Sequence, residues 1–192
     1  MNTDRNWIIV RIDGKIAAIS TDYRHLASIT ARLAKDGKAR HNEITAKSAG
    51  FEEVWQLKET AGWEDMMLFG TDFQKKVWKK LFEITHQDDS VSATPRLICY
   101  SDFAELCQNR AGVRAVAHAI GLNPISVLIP CHLVVPKEAI DKMKLINKKA
   151  ESTIFKGDDL CMKSILDDNS IDFGEYALGR KLKRELIKKE LA

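Results

Sequence analysis

Two apolar stretches in Trp7–Ile19, WIIVRIDGKIAAI, are joined by Asp13-Gly14, and a D-G pair between apolar runs is a strong hairpin signal. A β-hairpin is expected there. Leu26, Ile29, Ala31 and Leu33 fit a short helix, whereas residues 34–50 are polar and show no clear period. Phe51 to Phe69 reads as either strand or helix, with Trp55 and Trp63 as packing residues. At Asp72 the pattern sharpens: Phe73, Val77, Trp78, Leu81 and Phe82 recur at helical spacing, and Thr71 or Asp72 suits the N-cap. Residues 85–96, THQDDSVSATPR, are rich in turn formers and separate this helix from a second helical region. There, FAELCQ capped by Ser101, a break at Asn109-Arg110-Ala111-Gly112, and VRAVAHAIG closed by Gly121 read as helix, glycine-containing turn, helix. The second helix is rich in small residues, with Arg110 and Arg114 as its only formal charges. Such a surface admits close approach, although two packed helices need small residues too.

Composition narrows the class. A chain of 192 residues makes one ordinary domain or two small ones, and 45% hydrophobic with 30% charged residues is the balance of a soluble globular protein. Disordered and fibrous classes are excluded. No apolar run approaches the ~18 residues of a membrane span, and the opening stretch lacks a signal-peptide pattern. A cytoplasmic protein without a membrane partner is expected. The net charge of +3 is too small to specify a nucleic-acid partner by itself. Cys99, Cys107, Cys131 and Cys161 form no C-x-x-C and meet no histidine pair at zinc spacing, so neither a disulfide framework nor a metal site is expected.

The chemistry concentrates in Asn123-Pro124 and the following Ile125–Val135. The apolar run Ile125–Ile129 reads as a buried strand or extended segment that delivers Cys131 to the edge of the core, with Pro130 stiffening the backbone just before it. A thiolate is the nucleophilic form of cysteine, and an imidazole nearby can take its proton. Neighbours on an extended chain face opposite ways, so His132 would need a water or a bend to serve Cys131. A small buried thiol beside a core imidazole is the bland alternative.

Taken in order, Phe73-Gln74, Val77-Trp78, Tyr100, Arg114-Ala115-Val116, Asn123-Pro124, Ile129-Pro130-Cys131-His132 and Val134-Val135 resemble the O6-alkylguanine-DNA alkyltransferases, the methylated-DNA–protein-cysteine methyltransferases. The resemblance covers roughly residues 70–136. It implies an α+β fold: a small N-terminal domain over residues 1–69, then a mostly helical, winged-helix-like helix-turn-helix domain over residues 70–192 that binds DNA and reacts with it. The implied activity is DNA repair by irreversible, single-turnover alkyl transfer from O6-alkylguanine to Cys131, on double-stranded DNA, by a monomer with no cofactor. A base edge is out of reach inside the stack, so the nucleotide must be flipped. The resemblance implies that Arg114 fills the gap, Tyr100 helps rotate the nucleotide, and Arg110, Gly112 and Ala115 belong to the DNA-facing helix. It makes Asn123 a hinge, His132 the base acting through a water, and Pro130 part of the substrate pocket. The tail from Tyr176 has Leu182, Leu186, Ile187 and Leu191 on one helical face and resembles the family's terminal helix, with Tyr176 and Lys183 near the pocket and Glu190 as the partner of His132. Glu185 is the alternative carboxylate.

Two departures stand out. Leu133 occupies the place of an arginine usual in the family, and 45 positions separate Cys131 from Tyr176, an insertion at about 136–172 that is able to form one or two short helices. They leave two other readings open: a relative that binds damaged DNA without accepting the alkyl group, and a helix-turn-helix transcriptional regulator.

Overall fold

Asp13 and Gly14 both take left-handed backbone angles, φ 50° and 77°, the geometry a two-residue hairpin turn needs to match the twist of its strands. In this computed structural model, which describes residues 5–35, 43–86, 97–151 and 165–191, they join β1 (Trp7–Ile12) to β2 (Lys15–Ser20) as the pattern predicts. A third strand, β3 (Ile44–Ala49), pairs antiparallel with the other side of β1, giving the order β2-β1-β3. The polar stretch gave no sign of it because five of its six side chains are exposed and only Ala49 is buried, so no alternation is written into it.

Helix α1 (Tyr23–Lys35) is longer than the Leu26–Leu33 pattern suggested, and sets Leu26 and Ile29 against Val10, Ile12, Ala17 and Ala18 of the hairpin. The ambiguous stretch after it is helical: α2 (Phe51–Thr60) buries Phe51 and Val54, and Phe51 lies between the rings of Trp7 and Trp55, 6.2 and 5.7 Å away. Helix α3 (Asp72–Glu83) begins with a reciprocal cap. Gln74 N donates to Thr71 Oγ1 at 3.2 Å and Thr71 N donates to Gln74 Oε1 at 3.0 Å, satisfying two end donors, an arrangement that contributes about 1 kcal/mol. Val77, Trp78, Leu81 and Phe82 form its buried face, and Trp63 packs on Phe82 at 5.6 Å.

Two compact units result. In the first, residues up to His86 join Ala115–Cys131. Ile19 N donates to Pro124 O and Ser126 N to Ile19 O, at 3.0 and 3.1 Å, and Trp78 Nε1 donates to Ala119 O at 2.8 Å in a fully buried setting. These bonds tie the later segment to the N-terminal sheet and to α3, so the compact units do not follow a cut at residues 69/70.

The second unit comprises Gln87–Arg114 and His132–Ala192. Its two-stranded parallel sheet pairs β4 (Ile98–Cys99) with β5 (Val134–Val135). Helix α4 (Tyr100–Leu106) follows β4 at once. Its N-cap is Cys99, with no side-chain cap, so Ser101 is inside the first turn rather than capping it, and its hydroxyl lies 2.9 Å from Cys99 Sγ. A 3-10 turn over Arg110–Gly112 leads into α5 (Val113–Gly121), which starts in this unit and ends in the first. After β5 come α6 (Lys137–Glu151), a helical turn over 165–167, and the terminal α7 (Arg180–Glu190). A small sheet followed by a mostly helical chain is the expected α+β class. Cys161, most of the turn-rich stretch 85–96 and the middle of the insertion lie outside the described residues. No helix among the described residues is long and apolar enough to cross a membrane.

Candidate functional site

The run Ile125–Ile129 is buried as expected but is not a strand. It makes one isolated bridge, Ile125 to Ile19, and then turns, with Val127 at φ 76°. A β-branched residue in the left-handed region costs on the order of 1–3 kcal/mol and persists only where its surroundings hold it. Asn123 is what holds this turn. Its Oδ1 accepts from Ile125 N at 3.0 Å, and its Nδ2 donates to Ile129 O at 2.8 Å and to Cys131 Sγ at 3.0 Å. With one carbonyl and two N–H groups all engaged, the amide has a single workable orientation, since flipping it would set Oδ1 against the Ile129 carbonyl. The same side chain therefore shapes the loop and supplies a donor to the sulfur. Cys131 is 7% exposed, and Pro130 before it is buried.

Cys131–Leu133 form a 3-10 turn rather than extended chain, so the alternation argument that would separate neighbouring side chains does not apply. His132 is fully buried, and so is Leu133, at the position where the resemblance calls for an arginine; a leucine suits that setting without unpaired donors. Within the second unit His132 Nε2 lies 3.0 Å from Oε1 of Glu190, whose side chain is also buried, so Glu190 rather than Glu185 meets the imidazole. A carboxylate only accepts, so Nε2 carries the hydrogen and Nδ1 is the basic nitrogen of the neutral ring.

Glu190 reaches His132 because α7 is amphipathic in an uncommon way: its inner face holds Leu182, Leu186 and Ile187 together with two charged residues, Lys183 and Glu190. Lys183 Nζ donates to Val134 O at 2.8 Å and to Glu175 O at 3.3 Å and lies 5.9 Å from the centre of the Tyr100 ring. Its ammonium thus joins β5, the approach to α7 and the first residue of α4. Tyr100 and Tyr176 are half-buried, and Tyr176 O accepts from Gly179 N at 2.9 Å where α7 begins.

The helix-turn-helix residues present a different surface. Arg110, Arg114, Ala115 and His118 are exposed, while Val116, Ala119 and Ile120 are buried. Arg110 makes a loose ion pair with Glu105 at 3.8 Å, both largely in solvent and contributing little. A side chain at Gly112 would collide with the Asn109 amide, so the turn is closed to anything larger than glycine without moving the Asn109 side chain. Among the described residues no three His, Cys, Asp or Glu side chains converge as metal ligands.

Arg184 escaped the sequence reading. It binds three backbone carbonyls, and carbonyl partners leave no trace in residue identity.

Residues 72–151 match the family model described as 6-O-methylguanine DNA methyltransferase, DNA binding domain. Over 73 residues the chain is 45% identical to a probable methylated-DNA–protein-cysteine methyltransferase of Acanthamoeba polyphaga mimivirus, covering 38% of this chain and 44% of that protein. It is 41% identical over 68 residues to an inducible methylated-DNA–protein-cysteine methyltransferase of Bacillus subtilis, covering 35% and 34%. The aligned part thus spans less than half the length of these curated relatives. The crystal structure of O6-methylguanine-DNA methyltransferase from Pyrococcus kodakaraensis shares the fold, with a TM-score of 0.52 over 98% of this chain and 94% of that one at 20% identity. The similarity in sequence is thus to the DNA binding domain of the 6-O-methylguanine DNA methyltransferase family, over residues 72–151.

Proposed function

We propose that the protein repairs alkylated guanine in double-stranded DNA by moving the alkyl group onto Cys131. The observation that carries this reading is a buried His132–Glu190 pair, 3.0 Å apart, on the residue that directly follows a thiol hydrogen-bonded by Asn123. In the proposed step the thiol proton passes through a water to His132. Glu190 stabilises the imidazolium that forms, and the Asn123 amide steadies the negative sulfur. The thiolate attacks the alkyl carbon. An S–C bond forms as the C–O bond breaks, the electron pair goes to the guanine, and the base takes up one proton from solvent. A thioether has no ready leaving route, so each molecule acts once.

Exposed Arg110, Arg114 and Ala115 support a DNA-facing role for the start of α5, with Arg114 filling the gap left by a flipped nucleotide and Tyr100 helping to turn it. Pro130, Tyr176 and Lys183 shape the receiving pocket in this reading. Purified protein incubated with an oligonucleotide containing O6-methylguanine, then digested for mass spectrometry, should carry one added methyl on the Cys131 peptide, and Cys131→Ala should bind the duplex without reacting. Binding without modification by the unaltered protein would favour a damage-recognising relative instead.

A further inference from the structure

The functional reading leaves the long stretch between Val135 and Tyr176 without a task, yet its described part is assembled around the helix that carries Glu190. Arg184 Nη1 donates to Leu166 O and Asp168 O, both at 2.9 Å, Nη2 donates to Ile171 O, and the guanidinium lies 4.9 Å from the centre of the Phe173 ring. One turn on, Lys188 pairs with Asp167, and from α6 Lys142 donates to Ser170 O at 2.7 Å. Beneath these polar contacts Val135, Ala139, Ile165, Leu166, Ile171, Phe173 and Ile187 form one buried cluster, with Leu191 at its margin. Ile187 and Leu191 bracket Glu190, and Val135 follows His132 by three residues.

The last carbonyls of a helix have no partner within it, as where helical residues 165–167 end, and a guanidinium presents several donors in a fixed plane that one ammonium does not match. We infer that Arg184 is a positioning residue: by binding those carbonyls it fastens the inserted segment to α7 and thereby holds Glu190 against His132. The insertion then acts as a brace for the proton-accepting pair. This inference rests on the alkyl-transfer reading for its consequence in catalysis, but its geometric core is testable apart from it.

Two measurements on the full chain decide it. In the first, NMR of protein labelled with nitrogen-15 at histidine follows the His132 Nε2–H, which should be slow to exchange while Glu190 holds it; Arg184→Ala should speed that exchange at least ~10-fold. In the second, single-turnover transfer at saturating alkylated duplex compares Arg184→Ala, Glu190→Gln and the double variant. Arg184→Ala should react ~10-fold slower with unchanged duplex affinity, Arg184→Lys should fall between it and the unaltered protein, and the double variant should be no slower than Glu190→Gln alone. Unaltered Nε2–H exchange, or multiplicative slowing in the double variant, overturns the inference. Should Arg184→Ala not fold, Arg184→Lys run through the same two measurements decides by the same criteria. If the unaltered protein transfers nothing to Cys131, the functional reading falls, and the exchange measurement still judges the brace.

Discussion

Helices α5 and α7 are both short and both carry arginine or lysine, but they use their charges in opposite directions. On α5, Arg114 stands in solvent and the buried positions, Val116, Ala119 and Ile120, are entirely apolar. On α7, Lys183 and Glu190 are buried among Leu182, Leu186 and Ile187, each with a named partner. Burying charge is costly unless it is paired and hydrogen-bonded, so a fold that does it twice on one helix is holding specific groups in place. Leaving a charge exposed costs the fold nothing and keeps it ready for an external ligand. In the proposed reading, the exposed charges belong to a surface that meets a partner and the buried ones to a face that organises chemistry.

The most severe test of that division is to break the inner face. Glu190→Ala leaves His132 buried without its carboxylate and should cost about 3 kcal/mol of stability, read from the urea midpoint; a loss under about 0.5 kcal/mol would mean that the pair does not hold α7 in place. Next comes Asn123→Ala, which strips partners from Ile125 N, Ile129 O and Cys131 Sγ while Val127 still needs its strained backbone. About 2 kcal/mol should be lost, with slower transfer, and unchanged thermal unfolding would contradict the hinge role. On the outer face Arg114→Ala should alter stability by no more than about 0.5 kcal/mol, yet slow repair of duplex DNA far more than reaction with a free base analogue. Equal slowing on both substrates would remove Arg114 from the gap-filling role.

The smallest effect concerns acid. Asp168 is held below its ordinary value by hydrogen bonds from the Ser170 side chain and backbone N–H, with Lys142 and Arg184 adding attraction. A carboxyl depressed in the folded state contributes stability above its unfolded value of 3.8 and loses it as pH falls through the lower folded value. Asp168→Asn should therefore flatten the acid limb of the stability curve slightly, measured as urea midpoints from pH 6 downward. An unchanged limb would show that the Ser170 contacts do not differ between folded and unfolded chains.

What could be read beforehand depended on where the information resides. Asp13-Gly14 and an N-cap at Thr71 or Asp72 were legible because a turn or a cap needs particular residues at particular places; the structure settles the cap on Thr71. The Glu190 partnership was implied by the resemblance of the tail from Tyr176 to the family's terminal helix, and His132 Nε2 does lie 3.0 Å from Glu190 Oε1. Ile125–Ile129 misled because an apolar run reports burial and not conformation: the Asn123 side chain supplies bonds a sheet would otherwise provide, and the backbone turns. The N-cap is two residues before Ser101, because Cys99 ends β4 and α4 starts at once without a side-chain cap. The brace at Arg184 depends on backbone carbonyls, which every residue carries, so no sequence pattern announces it.

Single-turnover alkyl transfer by Glu190→Gln, at saturating duplex containing O6-methylguanine, bears most directly on the claim that the inward charges of α7 serve the thiol. The substitution keeps size and burial while removing the charge behind His132. The rate should fall about 100-fold while duplex affinity stays the same. A rate equal to that of the unaltered protein would contradict the account.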